Sequence, residues 1–191
     1  TNNLGIGTNA LNSVTTGAYN VGLGEDALTT VTTQHRNMAM GSNALQFNTA
    51  DDNTAIGSQA LRTNTNGTGN IGFGTNTLLN NVTGSYNIGV GYAALLNNTG
   101  TGNAAIGSGA GGNITSGDNN ICIGRHVDAV SATADDQLNI GNTIYGDLST
   151  GNVGINNTVP SKTLNVDSTA GSAGTPNGIM LYNKIHGSDS Q

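Results

Sequence analysis

The sequence predicts an all-β protein built as a parallel β-solenoid of 16–17-residue coils. Three observations lead to this prediction. A nine-residue unit of the kind seen at Asn53–Leu61 occurs eight times, and its leading Asn recurs every 16 or 17 residues. Each unit alternates large and small residues, as one strand of a sheet does. No stretch has helical periodicity, so the repeat is one coil of strands and turns that stacks on its own copies.

The leading Asn and the glycine at position 5 are present in all eight units. The units begin at Asn3, Asn20, Asn37, Asn53, Asn70, Asn87, Asn103 and Asn120. Stacked coils would place these residues in a ladder whose side-chain amides bond from coil to coil. The glycine, Gly57 in the unit at Asn53, predicts a tight corner that is closed to side chains. We therefore predict two short strands in each coil, hinged at this glycine.

The alternation within each unit predicts two faces. Large apolar residues at position 4 are assigned to the inward face as the structural core. They are Ile6, Leu23, Met40, Ile56, Phe73, Val90, Ile106 and Ile123. The small residues at position 3, such as Ala55, are assigned to a face where another backbone packs closely. A Leu four residues after the glycine, such as Leu61, predicts a second inward ladder.

The repeat divides the chain into three parts. Residues 1–127 are expected to form the array of eight coils. Residues 128–166 are interpreted as a transition region, in which the spacing breaks after Asn120 and a degenerate unit opens at Asn139. Residues 167–191 are rich in Gly, Ser and Thr and are interpreted as a linker with a terminal strand. Because a repeat is already under way at Asn3, we expect the sequence to be part of a longer protein.

Composition narrows the function classes. Only 8% of the residues are charged and the formal net charge is −6, so a phosphate-binding basic patch is absent and nucleic acid is not an expected partner. No apolar run approaches the length that spans a membrane. Cys122 is the only cysteine, so no intrachain disulfide can form. We expect no cofactor.

No combination of residues points to catalysis. The acid pairs Glu25–Asp26, Asp51–Asp52 and Asp135–Asp136 fall in different coils and are expected to be solvated loop tips, because a glycosidase needs two carboxylates that face one cleft. The three His residues lie far apart, without metal-ligand spacing. His126 is the one metal candidate, since three copies near a threefold axis could form a three-His site. We expect no enzymatic activity and no single-chain metal site.

One set of exposed residues is a candidate for recognition. Tyr19, Arg36, Asp52 and Tyr86 share the position just before the ladder Asn and are expected to line one ridge. Aromatic and Arg side chains on a rigid surface are common in sugar and protein recognition. The alternative is that these side chains only pack over neighbouring turns. We define these four residues as the candidate recognition ridge.

The repeats resemble a known group of fibrous proteins. The Asn-x-Ala-Ile-Gly-x-x-Ala-Leu units are similar to the head repeats of trimeric autotransporter adhesins, and more similar to the repeat arrays of phage and viral tail fibres that end in an endosialidase-type intramolecular chaperone. Residues 151–166 resemble the segment that precedes this chaperone, although Asn156 stands where Gly is usual. Ser188–Asp189 resembles the point at which the chaperone is cleaved off. The resemblance covers residues 3–166.

The resemblance implies a left-handed β-roll, assembled as an intertwined or side-by-side homotrimer. It also implies a structural fibre segment on a virion that serves host attachment directly or as a rigid shaft. Expected partners are a host-surface glycan or protein receptor and other virion proteins. Two alternatives stay open: the head of a trimeric adhesin on a bacterial cell surface, and the non-catalytic shaft of a polysaccharide depolymerase tailspike.

Overall fold

The computed structural model describes residues 2–166, which consist of short strands joined by turns and bends. Twelve strands form one sheet in which the spatial order follows the chain order. They are β1 (Leu4–Ile6), β2 (Val21–Leu23), β3 (Met38–Met40), β4 (Thr54–Ile56), β5 (Ile71–Phe73), β6 (Ile88–Val90), β7 (Ala104–Ile106), β8 (Ile121–Ile123), β9 (Gln137–Ile140), β10 (Ile144–Asp147), β11 (Asn152–Ile155) and β12 (Leu164–Val166). The predicted all-β solenoid is confirmed.

The first nine strands stack in parallel and in register. Each residue pairs with the residue at the same position of the next coil, so that Ala39 pairs with Ala55 and Met40 with Ile56. We number coils 1–8 from their ladder Asn residues and positions 1–17 within each coil. At about 4.8 Å between neighbouring strands, nine rungs extend over roughly 40 Å.

The array extends one rung further than the sequence predicted. Gln137 takes the place of the ladder Asn at the start of β9, and its backbone N–H and Nε2 both donate to Oδ1 of Asn120, at 2.9 and 3.0 Å. Gln137 stands 17 residues after Asn120, so the predicted break after Asn120 and the degenerate start at Asn139 are wrong. A Gln amide replaces the Asn amide because both carry the same donor and acceptor groups.

An antiparallel meander follows the stack. β10 pairs antiparallel with both β9 and β11, and β12 pairs parallel with β11. The transition region of residues 128–166 therefore extends the same sheet, and within it only β10 runs in the direction opposite to the stacked strands. The predicted linker and terminal strand in residues 167–191, like Ser188–Asp189, lie outside the described residues.

Each coil contains one strand and not the two that the sequence predicted. The segment after the corner glycine forms turns, because alternate residues have left-handed backbones, as Gln59 and Leu61 do with φ of 60° and 51°. A strand needs negative φ at every residue. The turns still stack, since the backbone N–H of Leu61 donates to the carbonyl oxygen of Thr77 in the next coil at 2.9 Å.

The assignment of the large position-4 residues to the core is wrong. The small middle residue of each strand faces inward: Ala39, Ala55 and Ala105 are fully buried. The large residues point outward, and all eight that the sequence assigned to the core are exposed or half-buried. They are Ile6, Leu23, Met40, Ile56, Phe73, Val90, Ile106 and Ile123.

The thinness of the coil explains this reversal. The predicted Leu ladder is confirmed, and Leu28, Leu45, Leu61, Leu78 and Leu95 are fully buried. This ladder lies directly against the strands: a Cβ added to Gly72 would be 3.5 Å from Cδ1 of Leu61, and one added to Gly22 would be 3.2 Å from Cγ of Leu11. One layer of Leu fills the interior, so the facing strand position must be small.

The corner glycine behaves as predicted. Gly57 has φ of +134°, and a Cβ there would lie 2.5 Å from the carbonyl carbon of Gly74 in the next coil. Both the backbone conformation and the close stacking of successive corners therefore exclude a side chain.

Two ladders of buried Asn hold the coils in register. The predicted ladder is present: Asn70 donates from its backbone N–H and from Nδ2 to Oδ1 of Asn53, at 2.9 and 3.2 Å. A second ladder, which the sequence analysis missed, consists of Asn48, Asn64, Asn81 and Asn98 at position 12. Its Nδ2 groups bond to the preceding coil, as Asn64 does to Asn48 at 2.8 Å. In coils 1, 2 and 7 the same position is occupied by an apolar residue: Val14, Val31 and Ile114, respectively.

Candidate recognition surface

The candidate recognition ridge is a continuous feature of the stack. Tyr19, Arg36, Asp52 and Tyr86 occupy position 17 of coils 1, 2, 3 and 5, and all four are exposed. Each has a left-handed backbone, with φ between 56° and 63°. This conformation favours Gly, Asn and Asp, and the same position in coils 4 and 6 is indeed Gly69 and Gly102. Tyr and Arg carry a conformational cost there.

Arg36 and Asp52 form an ion pair along the ridge. The guanidinium donates from Nε to Oδ1 and from Nη2 to Oδ2 of Asp52, the second at 2.9 Å. Asp51 lies further away, with its Oδ2 3.9 Å from Nη2. The hydrogen bond from Arg36 lowers the pKa of the Asp52 carboxyl, and the same bond raises the pKa of Arg36.

We expect Asp52→Asn to lower the melting temperature slightly near neutral pH. Because the folded pKa of Asp52 is below its unfolded value of about 3.9, its ionised form stabilises the fold above that pH, and this contribution is lost as pH falls through the folded pKa. The difference between variant and parent should therefore shrink on acidification. The effect should be small, because exposed pairs contribute little. Melting curves at several pH values would contradict this if the difference grew below pH 4.

The two tyrosines are presented differently. The ring of Tyr86 lies over Gly69 of the preceding coil, where an added Cβ would be 2.7 Å from Cδ1 of the ring. Tyr86 is still 67% exposed and Tyr19 is 61% exposed. The packing over a neighbouring turn that we considered as the alternative is thus present for Tyr86, but it leaves most of the ring accessible. Because Gly69 has no side chain, the Tyr86 ring can pack directly on its backbone.

The remaining site candidates lie apart from one another. His126 is exposed, and its ring lies over Gly109. Among residues 2–166, no three His, Cys, Asp or Glu residues come together in a group that could hold a metal ion. The three-His site in a trimer stays a prediction.

The acidic pairs belong to separate turns, as the sequence indicated. Asp26 accepts a hydrogen bond from Nδ2 of Asn9, and Asp135 accepts one from the backbone N–H of Asp118. Asp51 accepts one from the backbone N–H of His35. Each carboxylate thus links neighbouring turns. Enzymatic inactivity stays a prediction.

Cys122 occupies the inward position of β8. Burial, with a smaller contribution from Asp128, raises the pKa of its thiol to about 12. The thiol is therefore protonated and shielded at neutral pH, so it is a small core residue and not a nucleophile.

A second surface was not anticipated by the sequence analysis. The outward side chains at positions 2 and 4 of nine consecutive strands form an apolar band, which we call the outer stripe. Its apolar members include Leu4, Ile6, Met38, Met40, Phe73, Ile88, Val90 and Ile106, each between 37% and 61% exposed. Strand alternation could have revealed this surface, had the thin interior been recognised. No membrane-spanning helix occurs within residues 2–166.

Comparison of the chain with models of known protein families, with curated proteins and with solved structures finds no match.

Proposed function

We propose that this chain is a structural segment of a viral or phage fibre, assembled as a homotrimer through the outer stripe. The observation that carries the proposal is the outer stripe itself. A parallel sheet normally has both faces covered. Here the inward face is covered by the Leu ladder, whereas the other face is a band about 40 Å long in which Ile, Val, Met, Leu and Phe predominate.

A copy of the same chain is the partner that fits this surface. The stripe repeats with the coil spacing, so an identical stripe matches it rung for rung along its full length. An apolar surface of this extent marks an interaction site in a soluble protein. Closed symmetry is the usual outcome for copies of one chain, and a threefold arrangement places three stripes around a common axis. The resemblance of the repeats to trimeric fibres favours three copies over two.

Assembly around the outer stripe would leave the turns available for recognition. The candidate recognition ridge lies on the connecting turns, where residues can vary without disturbing the buried ladders. A rigid trimer would present three copies of each ridge, and three weak contacts then combine into stronger attachment. A role in host attachment on a virion follows from this arrangement, with the solenoid as the shaft.

Light scattering on the purified chain tests this proposal. We expect a mass of about three times the 19.1 kDa chain mass, because the apolar surface requires cover. A monomer with native β-sheet circular dichroism would contradict the proposal. So would a stable dimer, which would retain the interface but exclude the fibre geometry proposed here.

A further inference from the structure

The variation in coil length opens a notch in the stack of turns. Coils 3 and 6 have 16 residues and the other coils have 17. In coil 3 the carbonyl oxygen of Ala50 accepts from Nδ2 of Asn48, and in coil 6 that of Gly100 accepts from Nδ2 of Asn98. In a full-length coil the equivalent bond runs from Nδ2 of Asn64 to the carbonyl oxygen of Gly67, and it spans three residues instead of two. Coils 3 and 6 therefore lack position 14.

The notch at coil 3 is a groove of about 620 Å³ beside the candidate recognition ridge. The position-14 residues of the flanking coils, Thr33 and Asn66, form its walls, and the shortened turn forms its floor. The lining consists of Thr33, Gln34, His35, Thr49, Ala50, Asp51, Asp52, Asn66 and Thr68. The volume falls within the range of small-molecule sites, about 300–1,000 Å³.

Hydrogen bonding between the coils is interrupted at this groove. In coils 2, 4, 5, 6 and 7, the backbone N–H at position 16 donates to the position-16 side chain of the next coil, as His35 does to Asp51 and Thr68 does to Ser85. Asp51 of coil 3 is the exception. Within residues 2–166, its backbone N–H donates neither to Thr68 in the next coil nor to any other acceptor. The neighbouring bond from Gly69 N–H to the Asp51 carbonyl is long, at 3.4 Å. Asp51, which lines the groove, therefore has an unpaired backbone donor.

The groove also presents free side-chain groups. The hydroxyls of Thr33 and Thr68 and the amide of Asn66 form no hydrogen bond within residues 2–166, although all three line the groove. Gln34 is held in place, because its Oε1 accepts from the backbone N–H groups of Thr32 and Thr33 at 2.8 and 3.1 Å.

Charge and polarity restrict what the groove can bind. Ala50 is the only residue with an apolar side chain in the lining, so an apolar peptide has little to bury there. Asp51 and Asp52 face a single guanidinium, that of Arg36, and so repel phosphates, uronic acids and sialic acids. Closely spaced hydroxyl, amide, carboxylate and backbone N–H groups complement a ligand that itself carries many hydroxyls.

We propose that the coil-3 groove binds a neutral sugar, either a hexose or an N-acetylhexosamine. This proposal deepens the attachment role and rests on the proposed function for its biological setting. The sugar hydroxyls would bond to the Asp51 N–H, to the Asn66 amide and to the Thr33 and Thr68 hydroxyls. Tyr19 and the Arg36–Asp52 pair stand at the same ridge, where they would contact further units of a longer glycan.

Titration of the isotopically labelled chain with methyl β-galactoside, methyl β-N-acetylglucosaminide and methyl α-sialoside, followed by NMR, tests the assignment. We expect a neutral glycoside to shift the amide signals of Thr33, Asp51, Asn66 and Thr68, and the sialoside to leave them unchanged. The double variant Thr33→Ala with Asn66→Ala should weaken binding about tenfold, because two hydrogen bonds are lost. Neither side chain bonds to the rest of the fold, so the variant should remain folded.

The coil-6 notch supplies matched controls. Thr83 and Ser116 stand 50 residues after Thr33 and Asn66 and flank the second short coil. Their double Ala variant should leave neutral-sugar binding unchanged, because Gly84 and Ser85 replace Gln34 and His35 there. Inserting Gly between Thr49 and Ala50 should restore position 14 and abolish binding, whereas inserting Gly between Thr99 and Gly100 should not.

Three results would overturn the assignment. The first is absence of shifts with both neutral glycosides, and the second is equal shifts with the sialoside. The third is equal weakening of binding by the Thr33/Asn66 and the Thr83/Ser116 double Ala variants. The mass of each variant by light scattering separates the two proposals. A trimer that binds no neutral sugar contradicts only the groove assignment, and a monomer that binds one contradicts only the trimer.

Discussion

Replacing Ala55 with Asp is expected to prevent the chain from folding. Ala55 is fully buried in the middle of β4, where the Leu ladder fills the interior of the coil. An Asp there would bury an unpaired carboxylate and overfill the space, at a cost of about 4 kcal/mol or more. Circular dichroism should show loss of β-sheet structure at temperatures where the parent is folded.

The adjacent variant Ile56→Asp provides the control, because Ile56 belongs to the opposite face of the same strand. We expect this chain to keep its coil but to lose its trimeric mass, since the charge falls on the outer stripe and not in the interior. Equal loss of folding in both variants would contradict the separate roles assigned to the inward face and to the outer stripe. A folded Ala55→Asp chain would show that the inward face is misassigned.

The second large effect is expected from Asn70→Ala. Asn70 is fully buried, its Nδ2 donates to the Gly84 carbonyl oxygen at 2.9 Å, and its Oδ1 accepts from the backbone N–H of Asn87 at 3.0 Å. Removing the amide leaves the buried backbone N–H of Asn87 unpaired, whereas the Gly84 carbonyl oxygen still accepts from Nδ2 of Asn81. The free energy of unfolding should therefore fall by about 1–3 kcal/mol. Chemical denaturation at a fixed protein concentration measures this change.

Asn80→Ala is the matched control for the ladder variant. Asn80 also bonds to an Asn of the next coil, with 2.9 Å between its Nδ2 and Oδ1 of Asn97, but it does so at the exposed surface. Its loss should change the free energy of unfolding by at most about 0.5 kcal/mol. If both variants were equally mild, the buried ladders would not hold the register of the coils.

Much of the fold follows from sequence periodicity alone. The spacing of the ladder Asn, the corner glycine and the Leu ladder predicted the stacking, because each recurs at a position with a single physical demand. The two faces of the strand were misassigned for a different reason. Alternation shows that Ile56 and Ala55 point in opposite directions, but it does not show how thick the interior is. That thickness depends on the turns, and the left-handed backbones of Gln59 and Leu61 were not evident from residue type.

The candidate ridge was partly predictable and the groove was not. The equivalent positions of Tyr19, Arg36 and Tyr86 follow directly from the repeat. The Arg36–Asp52 pair could also have been expected, since residues at one position of neighbouring coils are neighbours in space. The groove depends on which residue of the short coil is missing. That residue was identified only from the bonds that align Ala50 with Gly67.

The central claim is that the outer stripe is the interface between copies of the chain, and spin-label distance measurement at Thr54→Cys tests it most directly. Thr54 is an outward residue of β4, and the native Cys122 is too deeply buried to take up the label. Packed sheet faces are about 10 Å apart, so we expect short intermolecular distances and a signal amplitude for three spins. Asn80→Cys, on an exposed turn, should give longer distances. Absence of an intermolecular signal at Thr54→Cys in folded protein, or a shorter distance at Asn80→Cys, would contradict the claim.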